Sequence, residues 1–184
     1  MSSFNFVLVK EISGLILIEP LTHSDERGFF METFRSDEFE KIGVKDEFVQ
    51  DNHSMSVENV IRGLHFQVKP HPQAKLVRCT RGEIYDVAVD LRRKSKTFGK
   101  WLGVKLSAAN KRMLYIPVGF AHGFSTTSEE AEVLYKVDEL YSREDERGIA
   151  FNDSQLAIDW KIDKPVVSSK DRALPQFDKE EEYF

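Results

Sequence analysis

From residue 48 to residue 138 the chain consists of short strand-like segments, a pattern that restricts the fold more than any other feature of the sequence. Turn-forming Gly, Pro, Asn and Ser residues separate the segments. Short strands at such spacing predict an antiparallel β-sandwich or barrel. The predicted strands are Phe48–His53, Ile61–Gln67, Lys75–Cys79, Ile84–Asp90, Trp101–Leu106, Met113–Ile116 and Glu132–Asp138.

The sequence on either side of this series adds a few more elements. A helix is expected over Ser36–Ile42, because Ser36 can cap it, acidic residues occupy its first turn and Gly43 can end it. Further strands are expected at Phe6–Val9, Leu15–Ile18 and Phe29–Phe34, and a polar turn at Asp25–Gly28 precedes the last of them. After the strand series, we expect a solvated loop at Tyr141–Arg147 and short helical turns near Ser154–Ile158.

Length and composition place the chain among ordinary globular proteins. Its 184 residues are 41% hydrophobic and 31% charged, which fits a single domain over residues 1–184. A net charge of −5 gives no reason to expect nucleic-acid binding. Cys79 is the single cysteine, and the sequence has neither a signal-peptide pattern nor an apolar run of membrane-spanning length. We therefore expect a soluble, cytoplasmic protein without a membrane partner.

The segment Arg62–Gln67 combines an arginine, a histidine and a glutamine with apolar residues inside a predicted strand. Buried polar groups need partners, so this segment is unusual for a strand that merely fills a core. In a regular strand Arg62 and His65 would point to opposite faces. A β-bulge or a strand end near Gly63 would bring both side chains to one site.

Alternation along two other strands predicts which side chains point inward. Tyr85, Val87 and Val89 share one face of their strand, and Asp86, Ala88 and Asp90 share the other. In the same way Tyr135 shares a face with Val133 and Val137, so we expect its ring inside the barrel, where its hydroxyl would need a polar partner.

A metal site is not expected in this barrel. Metal-binding barrels of the cupin type usually carry two histidines one residue apart, then a glutamate and a later histidine. The segment Pro117–His122 resembles the second half of that pattern, but Phe66 and Gln67 follow His65 where the second histidine should stand. The remaining ligands would make a poor site for zinc or iron.

Without a metal, the same residue types suit acid–base chemistry. A carboxylate beside His65 would fix the imidazole tautomer and support its cation, making the histidine a general base. Asp171 is one candidate partner, and Asp86 and Asp90 are others. Tyr135 could return a proton from the other face, and Lys75 could stabilise an enolate oxygen. The simpler alternatives are a surface lysine at 75 and a core-packed tyrosine at 135.

Taken together, the motifs resemble those of the dTDP-4-dehydrorhamnose 3,5-epimerases, enzymes of nucleotide-sugar biosynthesis. The resemblance runs from about Phe6 to Arg172, and its motifs occur in order. They are Asp25–Glu32, Val49–Ser54, Arg62–Gln67, Gln73–Val77, Asp86–Arg92, Ile116–Phe124 and Tyr135–Lys136. The implied fold is mainly β, a cupin-type antiparallel β-barrel or jelly roll with a few short helices.

The resemblance also implies an activity and a set of roles. The activity is cofactor-free conversion of dTDP-4-dehydro-6-deoxy-D-glucose into dTDP-4-dehydro-L-rhamnose. The base falls on His65, its partner on Asp171, the acid on Tyr135 and the lysine at the keto oxygen on Lys75. Substrate-binding positions fall on Arg62, His122, Gln50, Asn52, Glu146, Arg27 and Glu32, the last two partly across the interface of a homodimer.

Three alternatives stay open at this stage: a sibling that epimerises one carbon or isomerises the keto sugar, a noncatalytic sugar-nucleotide-binding cupin, and a metal-dependent cupin. Leu140 departs from the family pattern, in which an aromatic residue often precedes Tyr141, and this departure bears on how the sugar sits. His71 is expected to lie in a solvated turn outside the site. A homodimer is predicted from the resemblance and from the apolar N-terminal strands.

Overall fold

The computed structural model describes residues 2–184, which form fourteen strands and two short helices. The strands are β1 Phe4–Leu8, β2 Ile16–Pro20, β3 Thr22–Asp25, β4 Gly28–Met31, β5 Gln50–Val57, β6 Val60–Gln67, β7 Lys75–Arg81, β8 Glu83–Asp90, β9 Trp101–Ser107, β10 Met113–Ile116, β11 Phe120–Thr126, β12 Glu130–Val137, β13 Glu146–Gly148 and β14 Val166–Val167. The helices are α1 Ser36–Lys41 and α2 Ser169–Arg172.

The strands build two sheets and a separate hairpin. The first sheet has the order β1-β2-β10-β7-β12-β5, the second has the order β13-β6-β11-β8-β9 with β14 beside β6, and β3 pairs with β4. All pairings are antiparallel except that of β14 with β6. This double-sheet arrangement confirms the predicted mainly β jelly roll.

One apolar core lies between the sheets, and each outer face has a core of its own. The inner core joins Ile84 and Ala88 of β8 to residues such as Val133 of β12. Val87 and Val89 instead face the segment after residue 148, where Trp160 and Phe177 cover the second sheet. The alternation predicted for β8 is thus confirmed, and it turns Asp86 inward, between Ile84 and Ala88.

Several element predictions need correction. Arg35, not Ser36, is the N-cap of α1, and its side chain ion-pairs with Asp37 instead of capping. The predicted strand Phe29–Phe34 ends at Met31, because it is one arm of a two-stranded hairpin. Five elements lay outside the sequence predictions or inside predicted loops: β3, β11, β13, β14 and α2. Residues 154–156 form a turn, and the Ala157 N–H donates to the Asp153 carbonyl at 2.9 Å, which agrees with the short helical turns expected there.

The expected irregularity near Gly63 is present. Between β6 and β11, His65 is opposite His122 while Arg62 is opposite Phe124, so β6 holds one extra residue. Gly63 has a φ of +113°, and a Cβ there would lie 2.6 Å from the Cα of Gly123. A glycine is therefore required at this position for both backbone conformation and space. The bulge turns the side chains of Arg62 and His65 into one cavity.

Candidate active site

A cavity of about 520 Å³ opens among strands of both sheets and the segment that carries α2. Its walls include most of the residues that the sequence singled out. They are Ser54, Val60, Ile61, Arg62, His65, Lys75, His122, Phe124, Tyr135, Val166, Val167, Ser168, Lys170 and Asp171. The two sheets thus place polar groups from distant parts of the chain around one space.

His65 pairs with Asp171, which settles the choice of carboxylate that the sequence left open. The Nε2 atom of His65 lies 2.9 Å from Oδ1 of Asp171. The second oxygen, Oδ2, accepts the backbone N–H of Gly63 at 3.2 Å. Burial raises the pKa of Asp171, but the hydrogen bonds from His65, Gly63 and Ser168 outweigh it, so the net pKa lies below its usual range. Asp171 is thus an ionised partner for the imidazole.

Lys75 is an interior residue, so the reading as a surface lysine is wrong. Its Nζ atom donates to the backbone carbonyl of His65 at 3.4 Å. Burial lowers the pKa of the Lys75 ammonium to about 8, and the charges of Asp86 and Glu146 oppose that fall. An ammonium in this setting can interact strongly with a developing negative charge in the cavity.

Tyr135 points inward from β12, as its alternation with Val133 and Val137 predicted. Its hydroxyl makes no hydrogen bond to any residue among 2–184, so the internal polar partner expected for it is not found there. Burial raises its pKa, with Arg62 opposing the rise and Glu146 adding to it. The hydroxyl is therefore protonated near neutral pH and available to donate.

His122, which lines the same cavity, forms a second histidine–aspartate pair with Asp86, which lies behind the cavity wall. The Nε2 atom of His122 lies 2.8 Å from Oδ1 of Asp86, and both side chains are buried. Because His122 lies opposite His65 across the strand pair β6–β11, the two imidazoles occupy neighbouring positions on one face.

A smaller cavity of about 130 Å³ adjoins the first and shares His65, Lys75 and Tyr135 with it. Its other walls are polar or aromatic: Gln50, Asn52, Phe66, Gln67, Gln73, Tyr141 and Glu146. Glu146 accepts hydrogen bonds from the Tyr141 hydroxyl at 2.8 Å and from Lys170 at 2.6 Å. This cluster forms an exposed, polar approach to the buried groups.

Arg62 is anchored at the cavity wall, where its Nε donates to the Ser56 hydroxyl at 2.9 Å and one terminal nitrogen donates to the Met55 carbonyl at 3.0 Å. The side-chain orientation is therefore fixed before any ligand arrives. A guanidinium with a fixed orientation favours phosphate binding, because its planar fork can donate two hydrogen bonds at once.

Two predicted site residues lie elsewhere. Arg27 is 83% exposed at the tip of the β3–β4 hairpin and pairs with Asp25. Glu32 follows this hairpin, 3.7 Å from Arg35, and one of its carboxylate oxygens is buried without a hydrogen bond to any residue among 2–184. Neither residue lines the cavities around His65.

Some lining residues escaped the sequence analysis. Lys170, the residue directly before Asp171, lines the larger cavity but was given no role from the sequence. Tyr141 lines the smaller cavity, although the sequence predicted only a solvated loop there. Asp86 was considered as a partner for His65, yet it pairs with His122. The alternation along β8 put Asp86 on the polar face, which was the available indication that it points inward.

Other features of the described residues bear on the alternatives. His71 lies outside both cavities, and its Nδ1 atom contacts Asp145 at 2.8 Å. Within residues 2–184 no three His, Cys, Asp or Glu side chains come together as a metal site would require. No helix in that range has the length and apolar character needed to cross a membrane.

A jelly roll that faces a His–Asp pair, a buried lysine and an inward tyrosine into one cavity has the groups of a class of site suited to acid–base proton transfer. The particular family follows from comparison with known proteins. The family model described as dTDP-4-dehydrorhamnose 3,5-epimerase matches residues 9–179, and the chain belongs to this family.

Individual relatives are similar over nearly their full length. The chain is 54% identical to the dTDP-4-dehydrorhamnose 3,5-epimerase of Shigella flexneri, over 90% of this chain and 92% of that protein. The crystal structure of the enzyme of that name from Elizabethkingia anophelis superposes with a TM-score of 0.91 at 47% identity, covering 96% of this chain and 97% of that one. The Legionella pneumophila enzyme, solved in complex with dTDP-4-keto-L-rhamnose, superposes with a TM-score of 0.89 at 45% identity, covering 95% of this chain and 99% of that one.

Proposed function

We propose that this chain epimerises C3 and C5 of dTDP-4-dehydro-6-deoxy-D-glucose, giving dTDP-4-dehydro-L-rhamnose. The observation that carries the proposal is the placement of the His65–Asp171 pair and Tyr135 on the two sheets that enclose one cavity. A base and an acid on opposite sides of a substrate are what inversion of a carbon centre requires.

The chemistry starts at a C–H bond beside the C4 ketone. Both C3 and C5 flank that carbonyl, so removing a proton from either carbon gives an enolate. His65 takes the proton. Because its Nε2 faces Asp171, Nδ1 is the nitrogen left for this step, and the Asp171 carboxylate stabilises the imidazolium that forms.

Lys75 and Tyr135 complete the cycle. The Lys75 ammonium, buried next to the base, stabilises negative charge on the C4 oxygen as the enolate develops. Tyr135 approaches from the first sheet, whereas His65 belongs to the second. The tyrosine therefore delivers a proton to the opposite face of the carbon, and the configuration inverts. The His65 imidazolium then loses its proton to solvent and the Tyr135 phenolate regains one from solvent, which restores both groups.

The remaining polar groups bind the nucleotide sugar. Arg62 holds the diphosphate and His122 the sugar, while Gln50, Asn52 and Glu146 line the adjoining cavity that leads outward. Arg27 and Glu32 serve the site of a second copy, because neither of them lines the cavities around His65 of its own chain. We therefore propose a homodimer, with Phe29 and Phe30 of that hairpin, 60% and 67% exposed in the single chain, buried against the partner.

Residues 1–184 act as one epimerase domain in this proposal. The chemistry draws on side chains alone, without a cofactor. Its cellular setting is the cytoplasm, where the buried free thiol of Cys79 stays reduced.

Proton NMR of the substrate incubated with the protein in D₂O tests the proposed activity. Loss of the C3 and C5 proton signals together with inversion is the expected result. Exchange at one carbon would assign the chain to the single-centre siblings and direct attention to Leu140 and Tyr135. No exchange with the nucleotide still bound would leave a noncatalytic binding protein. Activity lost on chelation together with stoichiometric bound metal would instead support a metal-dependent cupin.

A further inference from the structure

The carboxylate of Asp86 has one oxygen that pairs with a histidine and one that has no hydrogen-bond partner among residues 2–184. The residue is 0% exposed and points into the barrel from β8. Its Oδ1 lies 2.8 Å from His122, whereas Oδ2 is buried without a hydrogen bond to any residue among 2–184. A buried carboxylate with a free oxygen is costly unless a nearby positive charge compensates for it.

Lys75, which is buried in the wall of the cavity that His122 also lines, is the positive charge that interacts with Asp86 through space, without a hydrogen bond or ion pair between the two side chains. Burial lowers the pKa of Lys75 to about 8, and the negative charge of Asp86 is the largest effect opposing the fall, ahead of Glu146. The other ionisable or charged groups around this lysine in the two cavities lie on four further elements and on the loop before β13. They are Arg62, His65, His122, Tyr135, Tyr141, Lys170 and Asp171.

We propose that Asp86 is a positioning residue for the epimerase reaction: one oxygen orients His122, and the other keeps the neighbouring Lys75 ammonium charged. This inference rests on the function proposed above. It assigns Asp86 no contact with the substrate, since the residue acts through two groups that have such contacts. With Nε2 of His122 donating to Asp86, Nδ1 is the nitrogen left for the sugar.

The consequence for catalysis concerns alkaline pH. Turnover requires the charged form of Lys75, so the rate falls as pH rises past its pKa of about 8. Tyr135 has its pKa raised by burial and stays protonated over this range. Removing the charge of Asp86 lowers the pKa of Lys75 further, which moves the alkaline limb of the rate profile to lower pH.

The variant Asp86→Asn tests this directly, because the amide keeps the size and an acceptor for His122 but loses the charge. If the pKa of Lys75 is lower by about one in the variant, kcat falls roughly twofold at pH 7 and roughly eightfold at pH 8.5 relative to the wild type. The matched control is Asp90→Asn, a buried aspartate on the same strand that binds Arg92, Ser95 and Thr97 outside the cavity. Its alkaline limb should coincide with that of the wild type, even if the variant melts at a lower temperature.

A titration of the lysine side chains by ¹³C NMR provides a readout that needs no turnover. The Lys75 signal, assigned by its loss in Lys75→Met, should titrate at lower pH in Asp86→Asn than in the wild type. Coincident titrations and coincident alkaline limbs would overturn the proposal. A wild type without turnover would instead refute the proposed function and leave this titration to decide the role of Asp86.

A second measurement covers the case in which Asp86→Asn does not fold. In the wild type, ¹⁵N NMR of His122, assigned with His122→Asn, should show a protonated Nε2 at neutral pH. An unprotonated Nε2 would mean that His122 does not donate to Asp86, and the inference would fail.

Discussion

The Nε2 atom of His65 lies 2.9 Å from Oδ1 of Asp171, although 106 positions separate the two residues in the sequence. Asp171 is held at its side chain and at its backbone: Oδ2 accepts the N–H of Gly63, two residues before the histidine, and the backbone N–H of Asp171 donates to the Ser168 hydroxyl. The strand that carries the imidazole therefore also fixes its partner. This arrangement determines which nitrogen of His65 faces the cavity.

Replacing His65 with Ala should lower kcat by about 10²–10⁴-fold, the usual contribution of an acid–base group, with a smaller effect on KM. Steady-state kinetics of product formation measures both. His71→Ala is the matched control, because His71 also contacts an aspartate, Asp145, but outside the cavities, and it should leave kcat unchanged. Near wild-type turnover in His65→Ala would show that another group is the base.

Replacing Tyr135 with Phe should separate proton removal from inversion. His65 can still remove a proton and return it to the same face, so the substrate should exchange with D₂O while the inverted product falls by about 10²-fold or more. Proton NMR in D₂O distinguishes exchange from inversion. Tyr85→Phe, a tyrosine outside the cavities, should behave as the wild type. Normal inversion in Tyr135→Phe would exclude the tyrosine as the acid.

Much of the fold could be predicted because period-two alternation reports which side of a strand is buried. It placed the Tyr135 ring inside the barrel and put Asp86 and Val87 on opposite faces of their strand, as the structure has them. It also exposed the conflict between Arg62 and His65, which required a bulge where Gly63 stands. The alternation of residues along a strand was therefore sufficient to predict which face of that strand each side chain occupies.

Pairings between distant strands could not be predicted in this way. Apart from the family resemblance, the local sequence does not distinguish Asp171 from Asp86 as the partner of His65, since the choice depends on where α2 and β8 lie in space. Strand β11 was missed because Gly123 weakens its strand pattern, although that glycine allows close approach of the Arg62 carbonyl. No element was predicted for the segment that holds Lys170, and its place at the cavity depends on tertiary packing.

Gly63→Ala should be among the most damaging single-methyl changes in this chain. The new Cβ would lie 2.6 Å from the Cα of Gly123 and 2.7 Å from the His122 carbonyl oxygen, at a φ of +113°. We expect a loss of about 3 kcal/mol or more in the free energy of unfolding, and reduced activity, because the bulge positions His65. Thermal and urea unfolding, with kinetics at a temperature where the variant is folded, measure the two effects.

Gly43→Ala separates conformational strain from the clash. Gly43 also has a positive φ, +89°, but a Cβ there would have no atom within 4 Å. It should cost about 1–2 kcal/mol in the free energy of unfolding and leave kcat unchanged. Equal losses in the two variants would show that close packing at the bulge is unimportant.

Asp138→Asn should make stability less dependent on pH. Burial raises the pKa of Asp138 to about 6, and the nearby carboxylate of Asp46, itself bound by Tyr115, adds to the rise. The folded state therefore holds this proton more tightly than the unfolded state, so the unfolding free energy falls as pH rises from about 4 to about 6. The amide can keep the hydrogen bond from the Ala74 N–H.

Above pH 6 the Asp138→Asn variant should be about 1–2 kcal/mol more stable than the wild type, after allowance for partial exposure of the site. Near pH 4 the difference should vanish. Urea unfolding between pH 4 and pH 8 measures both curves, and Asp163→Asn, an exposed loop residue, should follow the wild type. Parallel curves for Asp138→Asn and the wild type would mean that this carboxyl does not control the pH dependence.

Complementation between two inactive variants should show whether Arg27 acts in the partner's site. In a mixed dimer of His65→Ala and Arg27→Ala subunits, one site combines an intact His65 from one chain with an intact Arg27 from the other. Random co-assembly makes half of the dimers mixed, so about a quarter of the sites should be fully active, while each variant alone stays impaired. Light scattering checks that all three samples are dimers. If Arg27 served the site of its own chain, no mixed site would be intact, and mixing would restore nothing.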